Sequence, residues 1–298
     1  TRRIVYRNLS GDGRTASRAF SARLPCPISR RLVNPTRLTS PVQIGGLTNW
    51  TEKIALDSAG VHAIKSDGTL WTWGSSALGR NGLGNNNSYS SPVQVAGSWN
   101  HVAGYCTNGS YFKFGIQADG TLWGWGEYLL LNQGTTTNYS SPIQVTSGSW
   151  TAISTGPSHA MALRTDGTLY AWGDRSEGAL GPSWDPFSPN QLAGSWTMIS
   201  PGLTEFSLGI KSNGTLWGWG GGWYGELGLP SDWRSSPIQI MSGSFVNCTA
   251  GYWNTWGIKT DGTMWAMGYN YKGQLGAGFA TPGEVSSPTQ VTGSWLQV

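Results

Sequence analysis

The stretch "DGTLWGWG" at residues 119–126 recurs almost unchanged four more times along the chain. The other copies are "DGTLWTWG" at 67–74, "DGTLYAWG" at 166–173, "NGTLWGWG" at 213–220 and "DGTMWAMG" at 261–268. Each copy is followed by an "SSPVQV"-like segment and then by "GSW" or "GSF". The copies begin 47 to 52 residues apart, and a fixed period of this size indicates an array of repeated structural units.

Each repeat predicts four short β-strands. Within residues 148–192, "SWTAIS", "HAMALR" and "TLYAWG" alternate as strands do, and "SPNQL" supplies the fourth. An acid or Asn followed by Gly joins the second strand to the third, and this pair favours a tight hairpin in which both residues adopt positive φ. We therefore interpret the first residue of each pair as a structural turn residue: Asp67, Asp119, Asp166, Asn213 and Asp261.

Four strands in roughly 40–50 residues are typical of a propeller blade, which packs against a neighbour through both of its faces. The third strand fits this arrangement, because Leu122 faces one side whereas Trp123 and Trp125 face the other. We expect the second aromatic residue of each pair to fill the gap between blades, a structural role assigned to Trp73, Trp125, Trp172 and Trp219.

The order of the markers predicts one all-β domain over residues 1–298, a β-propeller of six four-stranded blades. Five complete repeats are expected at about 46–95, 97–145, 148–192, 194–240 and 243–291. Residues 293–298 resemble a first strand, and residues 1–45 hold candidates for a second strand, a turn and a fourth strand. We expect these two segments to combine into one composite blade that closes the ring and protects its edges.

Residues 1–40 diverge from the repeat. They carry nine arginines and one acid, a net charge of +8, whereas the remaining 258 residues carry a net charge of −4. A divergent blade, a partner-binding segment and a local shift of reading frame each account for this composition, and we favour the divergent blade. Because the basic charge is confined to this segment, the sequence disfavours nucleic acid as a partner.

Two longer segments, "GPSHAMALRTDGTLYAWGDRSEGALG" at 156–181 and "GIKTDGTMWAMGYNYKGQLGAG" at 257–278, resemble the RCC1-type repeat. The resemblance covers residues 41–298 and is strongest to the Trp-rich versions of bacterial and phage proteins. It implies a β-propeller that binds macromolecules. Members of the family include a chromatin-bound exchange factor for a small GTPase and a secreted bacterial inhibitor of β-lactamase, so the fold alone does not specify the partner.

The sequence lacks common catalytic, nucleotide-binding and metal-binding motifs. It contains no nucleophile elbow, HExxH, P-loop or EF-hand pattern, and its three cysteines form no CxxC. His62 and His159 share the face of the second strand that we expect to be buried. We therefore predict a protein that is not an enzyme, with no catalytic residue, metal site or cofactor. No apolar stretch approaches the roughly 18 residues of a membrane span, so we expect no membrane insertion.

Function is expected where the repeats differ, in the loops between the first and second and between the third and fourth strands. These loops add aromatic residues that suit hot spots of protein binding: Tyr105, Tyr128, Trp184, Phe187, Trp223, Tyr224, Trp233, Trp253, Tyr269 and Tyr271. A protein-binding scaffold is therefore favoured. A glycan-binding, lectin-like propeller is the alternative, and exchange activity on a guanine-nucleotide-binding protein is a weaker one. The charged fraction of 11% suits an extracellular, cell-surface or virion setting.

Overall fold

The structure, a computed structural model, describes residues 49–57, 59–105, 111–131, 137–174, 176–182, 188–229, 232–278 and 283–295. Over these residues the chain folds into five four-stranded antiparallel sheets, each of which pairs its strands in sequence order. The predicted fold class, an all-β propeller of four-stranded blades, is confirmed. Three short 3₁₀ helices lie in loops of the described part: Ala77–Gly79, Tyr128–Leu130 and Ser176–Gly178.

Each sheet forms one blade, and the first strands of consecutive blades contact one another. The strands are, in blade 1, β1 (Trp50–Leu56), β2 (Gly60–Lys65), β3 (Leu70–Gly74) and β4 (Tyr89–Val95); in blade 2, β5 (Trp99–Tyr105), β6 (Phe112–Gln117), β7 (Leu122–Gly126) and β8 (Tyr139–Thr146); in blade 3, β9 (Trp150–Thr155), β10 (His159–Arg164), β11 (Leu169–Gly173) and β12 (Asn190–Leu192); in blade 4, β13 (Trp196–Pro201), β14 (Phe206–Lys211), β15 (Leu216–Gly222) and β16 (Asp232–Met241); in blade 5, β17 (Phe245–Ala250), β18 (Asn254–Lys259), β19 (Met264–Tyr269) and β20 (Glu284–Val291).

The hairpin between the second and third strands differs from the expected turn. Gly120 has φ +81°, but Asp119 does not have positive φ. The Gly120 N–H donates to the Gln117 carbonyl at 2.9 Å, and the Gln117 N–H donates to the Thr121 carbonyl at 3.0 Å. This is a type I turn followed by a left-handed glycine, so the prediction of positive φ at the acid was wrong.

The acid supports the turn through its side chain. Asp119 Oδ1 accepts hydrogen bonds from the backbone N–H of Thr121 at 2.9 Å and from its hydroxyl at 2.6 Å. Asn213 accepts the same two bonds from Thr215 in blade 4. An Asx side chain that bonds two residues ahead is a common way to stabilise a turn, which explains why Asn replaces Asp here.

The apolar core lies between blades. Leu122 belongs to a cluster that includes Trp150 and Trp172 of blade 3, whereas Trp125 belongs to one that includes Leu70 and Val95 of blade 1. Both faces of a third strand are therefore buried, each against a different neighbour. A blade of this kind buries its apolar side chains only when blades stand on both sides of it.

A tryptophan hydrogen bond joins consecutive blades. The buried indole N–H of Trp125 donates to the Arg80 carbonyl in the loop of blade 1, at 2.9 Å. Trp172 and Trp219 make the same 2.9 Å bond, to the carbonyls of Leu130 and Ala179 in the preceding blades. Trp73 is half-buried against Trp50, and most of the blade expected to precede it lies outside the described residues.

A second link joins each turn to the start of the next blade. The backbone N–H of Trp150 donates to the Gly120 carbonyl at 2.9 Å, and Trp295 donates to Gly262 at the same distance. Trp295 therefore begins a further repeat in the same way that the first strands of blades 2 to 5 do. The rest of the composite blade, residues 1–45 and 296–298, lies outside the described residues, so the count of six blades stays a prediction.

A buried ion cluster lies between blades 1 and 2. Asp57 contacts Lys113 Nζ at 2.8 Å and a guanidinium nitrogen of Arg80 at 3.5 Å, with all three side chains at most 2% exposed. Burial alone raises the pKa of Asp57, but the Lys113 charge and the hydrogen bonds outweigh it and hold that pKa below its usual value. The cluster therefore stabilises the folded chain only while Asp57 is ionised.

Trp172→Phe is expected to lower the free energy of unfolding by about 2–3 kcal/mol. The substitution removes the hydrogen bond to the buried Leu130 carbonyl and leaves a void between two blades. Tyr170→Phe, on the same strand, removes only a long, exposed hydrogen bond to Gln191, 3.5 Å, and should change stability by less than about 0.5 kcal/mol. Denaturant unfolding measures both; equal losses would show that the indole bond does not stabilise the blade interface.

Asp57→Asn is expected to lower the free energy of unfolding at pH 7 by about 3–5 kcal/mol, because Lys113 stays buried without its carboxylate partner. The pKa of Asp57 is depressed in the folded state. Its stabilisation is therefore present above the ordinary value of 3.8 and is lost as the pH falls through the lower folded value.

Urea unfolding between pH 2 and 7 tests this expectation, since the variant should lack that part of the acid-dependent loss. Asp67→Asn is the matched control, because Asn213 already performs the same turn role in blade 4. A control that loses as much stability as Asp57→Asn would contradict the assignment.

Candidate functional site

Each antiparallel blade presents different connections at its two ends. The Asp-Gly hairpins and the backbone bonds from each turn to the start of the next blade lie at one end, here called the turn face. The loops from first to second strand and from third to fourth strand lie at the other end, here called the loop face. The repeated residues therefore lie on the turn face, and the residues that differ between repeats lie on the loop face.

An aromatic cluster covers part of the loop face of blades 4 and 5. Ring centres are 4.7 Å apart for Tyr224 and Trp253, 4.4 Å for Tyr252 and Trp253, and 4.9 Å for Tyr269 and Tyr271. Tyr269 lies 5.3 Å from both Tyr224 and Trp253, which joins the pairs into one group. Tyr252 and Tyr271 remain 52% and 46% exposed, so the cluster presents aromatic surface to solvent.

The structure brings together only some of the predicted binding residues. Tyr224, Trp253, Tyr269 and Tyr271 form the cluster, Trp223 and Trp233 are each 53% exposed in blade 4, and Tyr128 is half-buried in blade 2. Trp184, Phe187 and the side chain of Tyr105 lie outside the described residues. Sequence reasoning missed Tyr252, although its position beside Trp253 in the same short loop was a usable signal.

A groove of about 260 Å³ adjoins the cluster and crosses three blades. Glu177 lines it from blade 3, Glu205 and Trp223 from blade 4, and Tyr252 and Trp253 from blade 5. The Thr204 hydroxyl donates to the Tyr252 carbonyl at 2.7 Å, and the Leu203 N–H donates to the Gly251 carbonyl at 3.0 Å. These bonds hold the loops of blades 4 and 5 together, so the groove has a defined wall.

Two carboxyl groups give the groove its electrostatic character. Glu177 accepts a hydrogen bond from the indole N–H of Trp223, which fixes both side chains. Burial, followed by the nearby charges of Glu177 and Asp174, raises the pKa of the half-buried Glu205. None of the described residues that line the groove is Lys or Arg. Arg175, which separates Asp174 from Glu177 in the sequence, lies outside the described residues.

The turn face carries a repeated cation–aromatic stack. Lys65 Nζ lies 3.7 Å from the ring centre of Trp71 and 5.0 Å from that of Trp50. Equivalent stacks hold Arg164 between Trp150 and Tyr170, Lys211 between Trp196 and Trp217, and Lys259 between Phe245 and Trp265. Each cation lies at the end of a second strand and packs against one ring from the first strand and one ring from the third strand. The stack therefore holds the strands of one blade together.

The turn acids are similarly engaged within their own hairpins. Hydrogen bonds from the Thr121 hydroxyl and backbone hold the pKa of Asp119 below its usual value. Corresponding bonds from Thr69, Thr168 and Thr263 act on the other turn carboxylates, those of Asp67, Asp166 and Asp261. These carboxylates therefore stabilise the hairpin turns.

His62 and His159 are buried in the blade interfaces. Desolvation, with a contribution from Lys113, lowers the pKa of His62 to about 3, and desolvation lowers that of His159 to about 4. His159 Nε2 lies 3.0 Å from the Ser207 hydroxyl of blade 4, which itself donates to the Ala179 carbonyl. Both imidazoles are neutral at physiological pH and completely buried, which suits packing.

Other reactive groups are also enclosed. Burial raises the pKa of the Cys248 thiol to about 12, so this thiol is not a nucleophile at neutral pH. No group of three or more His, Cys, Asp or Glu side chains suited to a metal occurs among the described residues. In the same part of the chain, every helix is too short to cross a bilayer.

Comparisons with known proteins agree with this architecture. Two models of the regulator of chromosome condensation (RCC1) repeat match residues 119–163 and 150–179. No curated protein matches the chain by sequence.

Solved structures share the fold. Prp20p from Saccharomyces cerevisiae, described with its binding to Gsp1p and histones, aligns with a TM-score of 0.67 and 19% identity over 80% of this chain and 63% of its own. Human WBSCR16 aligns with a TM-score of 0.69 and 16% identity over 85% and 69%. Yeast RCC1 (Prp20) bound to Kap60 aligns with a TM-score of 0.67 and 18% identity over 80% and 60%.

The chain thus spans less than two thirds of either yeast chain, and these identities establish the fold alone. Together with the matches to the repeat, they agree with the repeating hairpins, the tryptophan links and the four-stranded blades. The chain is a β-propeller in which residues 119–179 match the RCC1 repeat.

Proposed function

We propose that this propeller is a non-enzymatic scaffold that binds a protein partner through the loop face of blades 3 to 5. The observation that carries the proposal is the exposed aromatic cluster beside a groove shared by three blades. Tyr and Trp provide large rigid contact areas with few rotatable bonds, and both are enriched among the residues that dominate protein interfaces.

The distribution of the loop-face residues favours one composite surface. The groove takes Glu177, Trp223 and Tyr252 from three different blades, and no two of these positions are equivalent within the repeat. A single large partner uses such a surface better than several identical small ligands do. The solved relatives support this class of function, since Prp20p is described with Gsp1p and histones and yeast RCC1 with Kap60.

Trp223→Ala and Tyr271→Ala are each expected to weaken partner binding at least tenfold, about 1.4 kcal/mol or more, because each removes exposed aromatic area, from the groove lining and from the aromatic cluster respectively. Val246→Ala is the matched control, since Val246 is also 53% exposed but lies at the start of β17, toward the turn face. The partner is captured from the source organism, identified by mass spectrometry, purified and titrated calorimetrically against all three variants.

Equal affinity of Trp223→Ala, Tyr271→Ala and the parent chain would contradict the proposal. So would an equal loss with Val246→Ala. A glycan array provides the independent comparison, because binding of several sugars per chain would favour the lectin-like alternative.

We further propose an extracellular, cell-surface or virion-surface setting. The charged fraction of only 11% supports it, together with loops rich in Gly, Ser, Thr and Asn. Immunogold labelling of intact cells or particles is expected to detect the protein without permeabilisation. Labelling only after permeabilisation would contradict this setting.

A further inference from the structure

The groove combines two kinds of wall that suit one kind of side chain. Trp223 and Tyr252 offer aromatic rings that are 53% and 52% exposed, and Glu177 and Glu205 bring carboxyl groups to the same space. Carboxylates pair with cations, and aromatic faces attract them through the ring quadrupole. A guanidinium group satisfies both at once, because it is planar, stacks on rings and donates from a rigid fork.

The geometry of Trp223 favours stacking. Its indole N–H donates to Glu177, so the edge of the ring is occupied and the ring orientation is fixed. More than half of the side chain is nevertheless exposed. A fixed, exposed ring loses little conformational freedom when a flat group stacks on it.

Glu205 supplies the complementary charge. Its carboxyl group is half-buried and repelled by Glu177 and Asp174 in the free protein, and both effects raise its pKa. A cation placed beside it relieves the repulsion and replaces the lost hydration. Pairing with a cation is therefore more favourable in free energy at Glu205 than at a fully solvated carboxylate.

Resting on the function proposed above, we infer that this groove binds an arginine side chain from a basic segment of the partner protein. The guanidinium stacks on Trp223 and pairs with Glu205, while the flanking residues of the segment contact Tyr252 and the aromatic cluster. Charge complementarity selects this occupant, because the described lining offers two carboxylates and no Lys or Arg.

The test titrates the full chain with a fluorescein-labelled peptide containing three arginines separated by glycines. The matched probes replace arginine by citrulline, which keeps the shape without the charge, or by lysine, which keeps the charge without the planar fork. Fluorescence polarisation is expected to show saturable binding of the arginine peptide, at least tenfold weaker binding of the citrulline peptide and weaker binding of the lysine peptide.

Glu205→Gln and Glu177→Gln are each expected to weaken binding of the arginine peptide about fivefold or more. Glu52→Gln is the matched control, since Glu52 is an exposed acid on β1; its affinity should stay within twofold of the parent chain. Absence of saturable binding overturns the inference. So does equal binding of the citrulline peptide, or an equal loss with Glu52→Gln, which would indicate general charge attraction.

Thermal unfolding at pH 7 verifies that the variants fold. Because the folded-state pKa of Glu205 is raised, its ionised form opposes folding, and this penalty appears as the pH rises above the ordinary value of 4.5. The unfolding temperature of Glu205→Gln at neutral pH should therefore be no lower than that of the parent chain. A loss of peptide binding in this variant is then not explained by unfolding.

The two proposals fail in different ways. If the captured partner depends on Trp223 and Tyr271 but is insensitive to Glu205→Gln, the loop face binds a protein and the arginine inference is wrong. If the arginine peptide binds as described but the captured partner binds Trp223→Ala and Tyr271→Ala with the affinity of the parent chain, the proposed protein-binding surface is wrong.

Discussion

Burial between blades is the constraint on which the rest of this molecule depends. No blade buries both of its faces by itself, since Leu122 packs toward blade 3 while Trp125 packs toward blade 1. The indole of Trp125 then donates to a carbonyl in the loop of the previous blade, so side-chain packing and loop position are fixed together. The same interaction that closes the core thus anchors the segments from which the loop face is built.

The repeated part of this architecture was predictable because its residues recur at one position in every unit. Asp119-Gly120 identified the hairpin, and the alternation of Leu122, Trp123 and Trp125 identified a strand buried on both faces. The turn type was not predictable from the dipeptide, because Asp-Gly suits both a two-residue hairpin and a type I turn with a left-handed glycine. Backbone pairing around the turn, including Gly120 with Gln117, selected the second.

The candidate site was predictable only in outline. The aromatic residues of variable loops were visible in the sequence, but the groove depends on Glu177, Glu205 and Tyr252, which come from three blades and become neighbours only when the ring forms. No periodic pattern marks such a site, since each contributing position is occupied differently in the other repeats. Glu205 in particular carries no local motif, and its significance comes from burial and from the charges across the groove.

Rigidity of the frame gives the irregular loops a consistent shape. Glu177 has a left-handed backbone, φ 57°, as does Leu78 at the equivalent point of blade 1, so blades 1 and 3 share this loop conformation although their side chains differ. The bond from Trp223 then orients that carboxylate, and the bond from Thr204 to Tyr252 sets the opposite wall. A surface held in this way loses little conformational entropy on binding, which is how variable side chains on a repeated frame acquire affinity for one partner.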